Sequence, residues 1–168
     1  MIRKQLLFAL GFGVLLMAPS FAEATIEPNA TTHSMWVTLY GALDNDPPGS
    51  ADIAFPQIHS QAGGTGTFAD PVTFATSKSE LAPGTKVYYP FLKKYFIMED
   101  DCAQCDSDWS SSKKWHIDLW AGNSTNSAIL DCEDALTQQG NVIVNPPNNE
   151  PVDTTPIFNT KTHACFQP

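Results

Sequence analysis

The hydrophobic positions of the chain fall into short runs of β-branched and aromatic residues, separated by turns that contain glycine and proline. Such runs are typical of β-strands, because these side chains pack well on a pleated surface. Residues 115–120 (WHIDLW) alternate bulky apolar with polar side chains, which is the period of a strand with one buried face. Residues 86–90 and 94–100 are separated by a few residues only, which predicts an antiparallel pair. The other predicted strands are residues 35–41, 72–75 and 142–144, with residues 53–59 as a weaker candidate.

One segment, residues 127–139, has the pattern of a helix that ends before Gly140. Two other stretches are predicted to be loops: the glycine-rich residues 61–67 and the acidic, serine-rich residues 101–114. The glycine-rich loop has neither the lysine of a phosphate-binding P-loop nor the spacing of a dinucleotide-binding fingerprint, so nucleotide binding is not expected. The apolar face of the predicted helix is formed by Ile129, Leu130 and Leu136.

The N-terminus has the three-part layout of a secretory signal. Arg3 and Lys4 precede an apolar run, residues 6–17, and small residues follow as far as Ala22. The apolar run is shorter than the ~20 residues that a membrane-spanning helix needs. We therefore expect a secreted or periplasmic protein with a cleaved signal at residues 1–22, a flexible leader at residues 23–34 and a single domain at residues 35–168.

Composition and charge exclude several classes of protein. The chain of 168 residues has 13 Pro but only 16% charged residues, which suits short strands and turns better than long amphipathic helices. It carries 18 Asp plus Glu against 9 Lys plus Arg, a formal net charge of -9. Such an acidic chain is not expected to bind nucleic-acid backbones. We expect a monomer that does not associate with membranes once its signal is removed.

The four cysteines, Cys102, Cys105, Cys132 and Cys165, all follow the predicted signal. An even number of cysteines in an exported chain predicts two disulfides. Three pairings are possible, and we prefer Cys102 with Cys105 and Cys132 with Cys165, since the second bond would tie the tail to the domain. Zinc is the competing explanation of the Cys-x-x-Cys sequence, but it calls for a second pair of closely spaced ligands, which does not follow. No metal and no cofactor is therefore expected.

Four motifs, in a shared order within residues 63–122, resemble the three-Asp domain of bacterial cell-wall enzymes. They are Asp70-Pro71, residues 82–88 (APGTKVY), residues 95–100 (YFIMED) and residues 116–120 (HIDLW). In addition, residues 38–41 (TLYG) and 116–119 (HIDL) look like the Thr-x-Tyr and His-Phe-Asp-Leu motifs of expansins and family 45 endoglucanases. The resemblance implies a mainly β fold, a six-stranded double-psi β-barrel with one short helix and disulfide-tied loops. RlpA-like proteins, expansins, barwins, family 45 endoglucanases and the membrane-bound lytic transglycosylase A share that barrel.

The resemblance also implies site residues. Asp118 falls on the aspartate that serves as general acid in the endoglucanases and the transglycosylase, and Asp100 and Asp70 fall on the other two positions of the three-Asp pattern. The chain departs from the pattern where Asp101-Cys102-Ala103 replaces a Thr-Gly-Gly, and the base has no secure counterpart, since Asp44 and Asp46 come later than expected. The alternatives are an Asp118 that only accepts hydrogen bonds from the backbone and an Asp70 that only forms a turn. Substrate-binding candidates are Tyr40, His116 and Trp120.

We therefore expect an exported protein that cleaves glycosidic bonds in peptidoglycan or a glucan, as a hydrolase or a lytic enzyme, with Asp118 as general acid. The alternatives are a non-catalytic glycan-binding module of the expansin or barwin kind and a secreted effector that binds another protein. A second carboxylate facing Asp118 across an open groove would favour the enzyme. A flat aromatic strip would favour the binding module, and a closed groove would favour the effector.

Overall fold

The computed structural model describes residues 29–168, and six strands in this part of the chain close into one barrel. Around the barrel, the order is β1-β5-β2-β4-β3-β6. The mainly β class and the closed six-stranded barrel expected from the sequence are thus confirmed. The strands are β1 (Thr31–Gly41), β2 (Val72–Ala75), β3 (Lys86–Tyr89), β4 (Lys94–Asp100), β5 (His116–Gly122) and β6 (Gln138–Val144).

The barrel mixes parallel and antiparallel pairs. Strand β1 runs parallel to β5 and antiparallel to β6, and β2 runs parallel to β4 and antiparallel to β5. Strand β3 is antiparallel to both β4 and β6, so the predicted pairing of β3 with β4 is confirmed. In the parallel pair of β1 with β5, Thr38 lies opposite Asp118. This register brings two polar side chains from distant parts of the sequence into contact.

Apolar side chains from alternate positions of the strands form the core. Val37 and Leu39 of β1 lie beside Ile117 and Leu119 of β5 in the register, and all four are buried. Full burial of such a side chain is worth roughly 1.5–3 kcal/mol, and in a barrel of this size the interior is filled by side chains. The core therefore fixes the register that places the polar residues between these positions.

Two helices pack on the barrel, where one was expected. Helix α2 (Ala128–Leu136) is the predicted one, whereas α1 (Ala103–Ser112) occupies the segment predicted to be a loop. Helix α1 lacks a clear apolar face, and Cys105 is its one buried residue. Cys102 caps its N-terminus by accepting a hydrogen bond from the N–H of Cys105, and Lys113 ends it with a φ of 58°. End caps and a disulfide thus hold a helix that hydrophobic periodicity does not indicate.

Two further boundaries differ from the predictions. Strand β1 begins at Thr31, so residues 31–34 of the predicted leader pair with β6, which itself begins at residue 138 rather than 142. Residues 53–59 form a loop and not a strand, because several of their backbone N–H groups bind carboxylates of Glu99 and Asp100 instead of a neighbouring strand. The predicted signal and residues 23–28 lie outside the described residues.

Both preferred disulfides are present. Cys102 pairs with Cys105, and Cys132 of α2 pairs with Cys165 near the C-terminus. All four cysteines lie in the described part of the chain, and none of them is free. The second bond holds the tail against the barrel, where Phe158 and Phe166 are buried. Within residues 29–168, no helix is long and apolar enough to cross a bilayer.

Candidate active site

A cleft with a volume of about 530 Å³ opens beside the ends of β1 and β4. Asp118 and Asp100 both line it, as does Tyr40 of β1. Among its lining residues there is no lysine, arginine or histidine. An acidic surface of this kind repels anions and makes the protonated form of a buried carboxyl more stable. The aspartates that line the cleft are Asp44, Asp46, Asp52, Asp100, Asp101 and Asp118.

Asp118 lies in the middle of β5 and is only partly exposed. Burial raises its pKa to about 7, against the hydrogen bond from Thr38, which lowers it. The negative charges of Asp44 and Asp100 raise the pKa further. Thr38 donates to Oδ1 of Asp118 at 2.7 Å. A carboxyl with these properties is half protonated near neutral pH and can therefore donate a proton there.

His116 lies behind Asp118 rather than in the cleft. Its Nε2 is 3.0 Å from the hydroxyl oxygen of Thr38, and its Nδ1 is 2.8 Å from Oδ2 of Asp108. It is buried and does not line the cleft, so the expected direct contact with substrate is not available in this structure. Burial lowers the pKa of His116, although Asp108 opposes that effect. His116 and Asp118 thus share Thr38 as a hydrogen-bond partner.

Asp100 has both carboxylate oxygens engaged by the protein. Oδ2 accepts a hydrogen bond from the hydroxyl of Tyr40 at 2.9 Å, and Oδ1 accepts from the N–H groups of Ala54 and Asp101, each at 2.9 Å. These bonds anchor Tyr40 and one wall of the cleft. Burial and the charge of Asp100 raise the pKa of Tyr40 well above its usual value, so its proton stays on the phenol. Asp100 is thus placed to position other groups rather than to activate water.

Asp44 is an exposed residue of the cleft whose negative charge raises the pKa of Asp118. Its Oδ1 accepts the N–H of Gly41 at 2.9 Å, which holds the turn after β1. Its charge raises the pKa of Asp118 and of Glu133. Asp44 comes too late in the sequence after Tyr40 to match the motif of the endoglucanases. The turn after β1 nevertheless places Asp44 in the lining of the cleft.

Glu133 on α2 was not predicted to be a site residue. It is 4% exposed, and its Oε1 has no hydrogen-bond partner among the described residues. Burial, together with the charges of Asp44 and Asp118, raises its pKa to about 8. A signal for it exists in the sequence, since Glu133 lies on the same helical face as Ile129 and Leu136.

Asp70 belongs to a different cluster. Its Oδ1 is 3.0 Å from Nε2 of His59, whose Nδ1 is 2.6 Å from Oε2 of Glu99. Burial opposes protonation of His59, but the hydrogen bonds to Asp70 and Glu99 outweigh it and raise the pKa of the imidazole. Asp70 does not line the cleft with Asp118 and Asp100, so the three aspartates of the sequence pattern are not brought together in this structure.

Trp120 is buried and packs edge to face on Tyr40, with ring centroids 5.2 Å apart. It lines a separate cavity of about 470 Å³, together with Lys94 and Phe158. Of the three substrate-binding candidates, Tyr40 alone lines the acidic cleft. Alternation along β5 does not explain this, because residues 116, 118 and 120 share one face of a strand. The difference lies in the packing, since His116 is enclosed by Thr38 and Asp108 and Trp120 packs on the ring of Tyr40.

Residues 32–166 match the family model described as the DDB_G0273701 N-terminal domain. Over 133 residues the chain is 48% identical to a protein of Dictyostelium discoideum named Uncharacterized protein DDB_G0273701/DDB_G0273221. The match covers 78% of this chain and 59% of that relative, so the chain spans about three fifths of the relative's length. No solved structure shows a significant match. Because the family model covers nearly all of the barrel, the chain belongs to the family of the DDB_G0273701 N-terminal domain.

Proposed function

We propose that this is an exported protein that cleaves glycosidic bonds in a polysaccharide, with Asp118 as the general acid. The observation that carries the proposal is the state of Asp118: a partly exposed carboxyl in an open cleft with a pKa of about 7. Cleavage of a glycosidic bond requires an acid that protonates the leaving oxygen, and such an acid must hold its proton at the working pH. The raised pKa of Asp118 and its place in the open cleft suit it to this role.

A second carboxylate completes the chemistry of an inverting hydrolase, because it activates the attacking water. Asp44 is the best candidate, since it is exposed, lines the same cleft and acts electrostatically on Asp118. Asp100 is less suited, because both of its oxygens already accept hydrogen bonds from the protein. The pair of Asp118 and Asp44 would thus divide the roles of acid and base.

The resemblance of the motifs to the three-Asp domain and to expansins gives independent support, because Thr38, Tyr40 and Asp118 of those motifs meet around one cleft or directly behind it. The acidic lining favours a neutral glycan over an anionic polymer, since six aspartates would repel carboxylate or sulfate groups. Neutral glucans are therefore the substrates to test first, and peptidoglycan, which carries carboxylates on its stem peptides, is the second.

A non-catalytic glycan-binding module is the second candidate, and a surface of aromatic rings supports it. Trp115 stacks on His33 with centroids 4.1 Å apart and meets Trp109 edge to face at 5.0 Å. All three residues are half-buried, so their rings are partly open to solvent. Aromatic faces of this kind pack on the apolar faces of sugar rings. The effector alternative has no comparable feature, because the cleft is open.

The test is a screen of the purified protein for products released from peptidoglycan, cellulose and other neutral glucans. We expect new reducing ends if the protein is a hydrolase, and products lighter by one water if it is a lytic enzyme. Asp44→Asn should abolish release by a hydrolase, whereas the matched Asp131→Asn, on an exposed position of α2, should not change it. Binding to an insoluble glycan without any product, lost on Trp109→Ala, would instead favour the binding module.

A further inference from the structure

The disulfide at the start of α1 lies beside a buried histidine of β5. The two sulfur atoms of Cys102 and Cys105 and a ring nitrogen of His116 lie within 4.8 Å of one another, and all three residues are buried. We propose that these three side chains form a redox-gated site for one Zn²⁺ ion, closed by the disulfide and opened when the disulfide is reduced. The proposal concerns metal binding alone and does not depend on the glycan chemistry proposed above.

The ligand set fits zinc. Thiolate sulfur and imidazole nitrogen are its preferred ligands, and three protein ligands leave the fourth tetrahedral position for water. The sulfur of Cys102 accepts the N–H of Cys105 at 3.1 Å at the N-terminus of a helix of 10 residues, an arrangement that stabilises a thiolate. The sequence did not reveal this set because His116 is supplied by β5 and not by a second Cys-x-x-Cys pair.

The surroundings of His116 match those of a metal-binding imidazole. Its Nδ1 is held at 2.8 Å by Oδ2 of Asp108, and its Nε2 is 3.0 Å from the hydroxyl of Thr38. Whichever nitrogen binds the metal, the other keeps a hydrogen-bond partner. Such outer partners orient the ring and increase its basicity as a ligand.

Reduction supplies the metal ligands by a balanced exchange. A dithiol reductant gives two electrons and two protons to the S–S bond, the bond breaks into two thiols, and the reductant becomes a disulfide. Binding of Zn²⁺ then releases the two thiol protons to solvent. Cys102 lines the acidic cleft, which gives reductant and metal a route to the site. Within residues 29–168, Cys102, Cys105 and His116 form the one cluster of possible metal ligands. The disulfide between Cys132 and Cys165 therefore has no comparable third ligand.

The test uses the purified full chain and Co²⁺ as a spectroscopic probe, with Zn²⁺ as competitor. The protein is treated with a phosphine reductant, and differential alkylation with mass spectrometry establishes that the bond between Cys102 and Cys105 has opened. We expect the reduced protein to bind one Co²⁺ per chain with thiolate charge-transfer absorption, and the oxidised protein to show none. His116→Gln should weaken binding at least tenfold, whereas the matched His163→Gln, at an exposed position outside the cluster, should not.

The proposal is overturned if the opened protein gives no thiolate absorption with Co²⁺, or if His116→Gln binds as tightly as the wild type. Because His116 is buried, its variant can fail to fold. X-ray absorption of the reduced wild type loaded with Zn²⁺ provides a measurement that needs no variant. Two sulfur neighbours with one imidazole nitrogen support the site, and two sulfurs without imidazole contradict it.

Discussion

The hydroxyl of Thr38 donates a hydrogen bond of 2.7 Å to Oδ1 of Asp118, across the parallel pair of β1 and β5. The register of the barrel, set by the buried residues on either side, holds the two groups together. A hydrogen bond to the ionised form lowers the pKa of a carboxyl, so this contact limits how far burial raises the pKa of Asp118. Thr38 thus tunes the proposed acid without lining the cleft.

Thr38→Val should therefore raise the pKa of Asp118 above its wild-type value of about 7. Valine keeps the shape of threonine but cannot donate to the carboxylate, and the loss of a partner for a buried group should cost ~1–3 kcal/mol of stability. Carboxyl carbon NMR over a pH titration measures the first effect, and urea unfolding measures the second. Thr31→Val, at the exposed end of β1, is the control, and an unchanged or lower pKa of Asp118 in Thr38→Val would contradict the account.

Asp100→Asn should destabilise the protein, because the carboxylate accepts hydrogen bonds from the hydroxyl of Tyr40 and from two backbone N–H groups. The asparagine side chain has one acceptor oxygen, so charge-assisted bonds are lost at a cost of ~1.5–3 kcal/mol. Urea unfolding gives the difference. The adjacent and exposed Asp101→Asn should stay within about 0.5 kcal/mol of the wild type. Equal stability of the two variants would show that the bonds to Asp100 do not hold the wall of the cleft.

Much of the barrel could be predicted from the sequence. The bounds of β2 and β4 agree with their predictions to the residue, and those of β3 and β5 differ by one or two residues. In these segments, β-branched and aromatic side chains mark the buried positions directly. Helix α1 was missed because a cap at Cys102 and a disulfide define it, and neither changes the hydrophobic pattern.

The candidate site was only partly predictable. Asp118, Asp100 and Tyr40 were found through motifs, and the structure brings them to one cleft. The roles of Asp44 and Glu133 depend on contacts between a turn, a helix and a strand, which no local pattern reports. Asp70 was predicted from a motif but does not lie in the cleft. Its carboxylate contacts His59 instead, and His59 in turn contacts Glu99.

Glu133 should make the folded protein less stable as the pH rises. Burial raises its pKa from 4.5 to about 8, so between these values the folded state keeps a proton that the unfolded state releases. Stability from this group is therefore lost as the pH increases through that range. Glu133→Gln has no proton to lose, and its free energy of unfolding should rise relative to the wild type between about pH 5 and pH 9.

The measurement is urea unfolding of both proteins at several pH values. The control is Asp131→Asn, at an exposed position of the same helix whose charge does not act on Glu133, and it should follow the wild type at each pH. A Glu133→Gln curve that runs parallel to the wild-type curve would mean that Glu133 does not stay protonated in the folded protein.

We propose that Asp118 supplies the proton for cleavage. The most direct test compares the wild type with Asp118→Asn in two measurements, the rate of glycan release and the melting temperature. Asparagine has nearly the shape of aspartate but no proton to transfer, and general acid catalysis is worth about 100- to 10,000-fold. We predict a loss of that size with a melting temperature close to that of the wild type. A variant that keeps the wild-type rate, or a wild type that releases nothing while the variant melts several degrees lower, would contradict the claim and leave Asp118 as a structural acceptor.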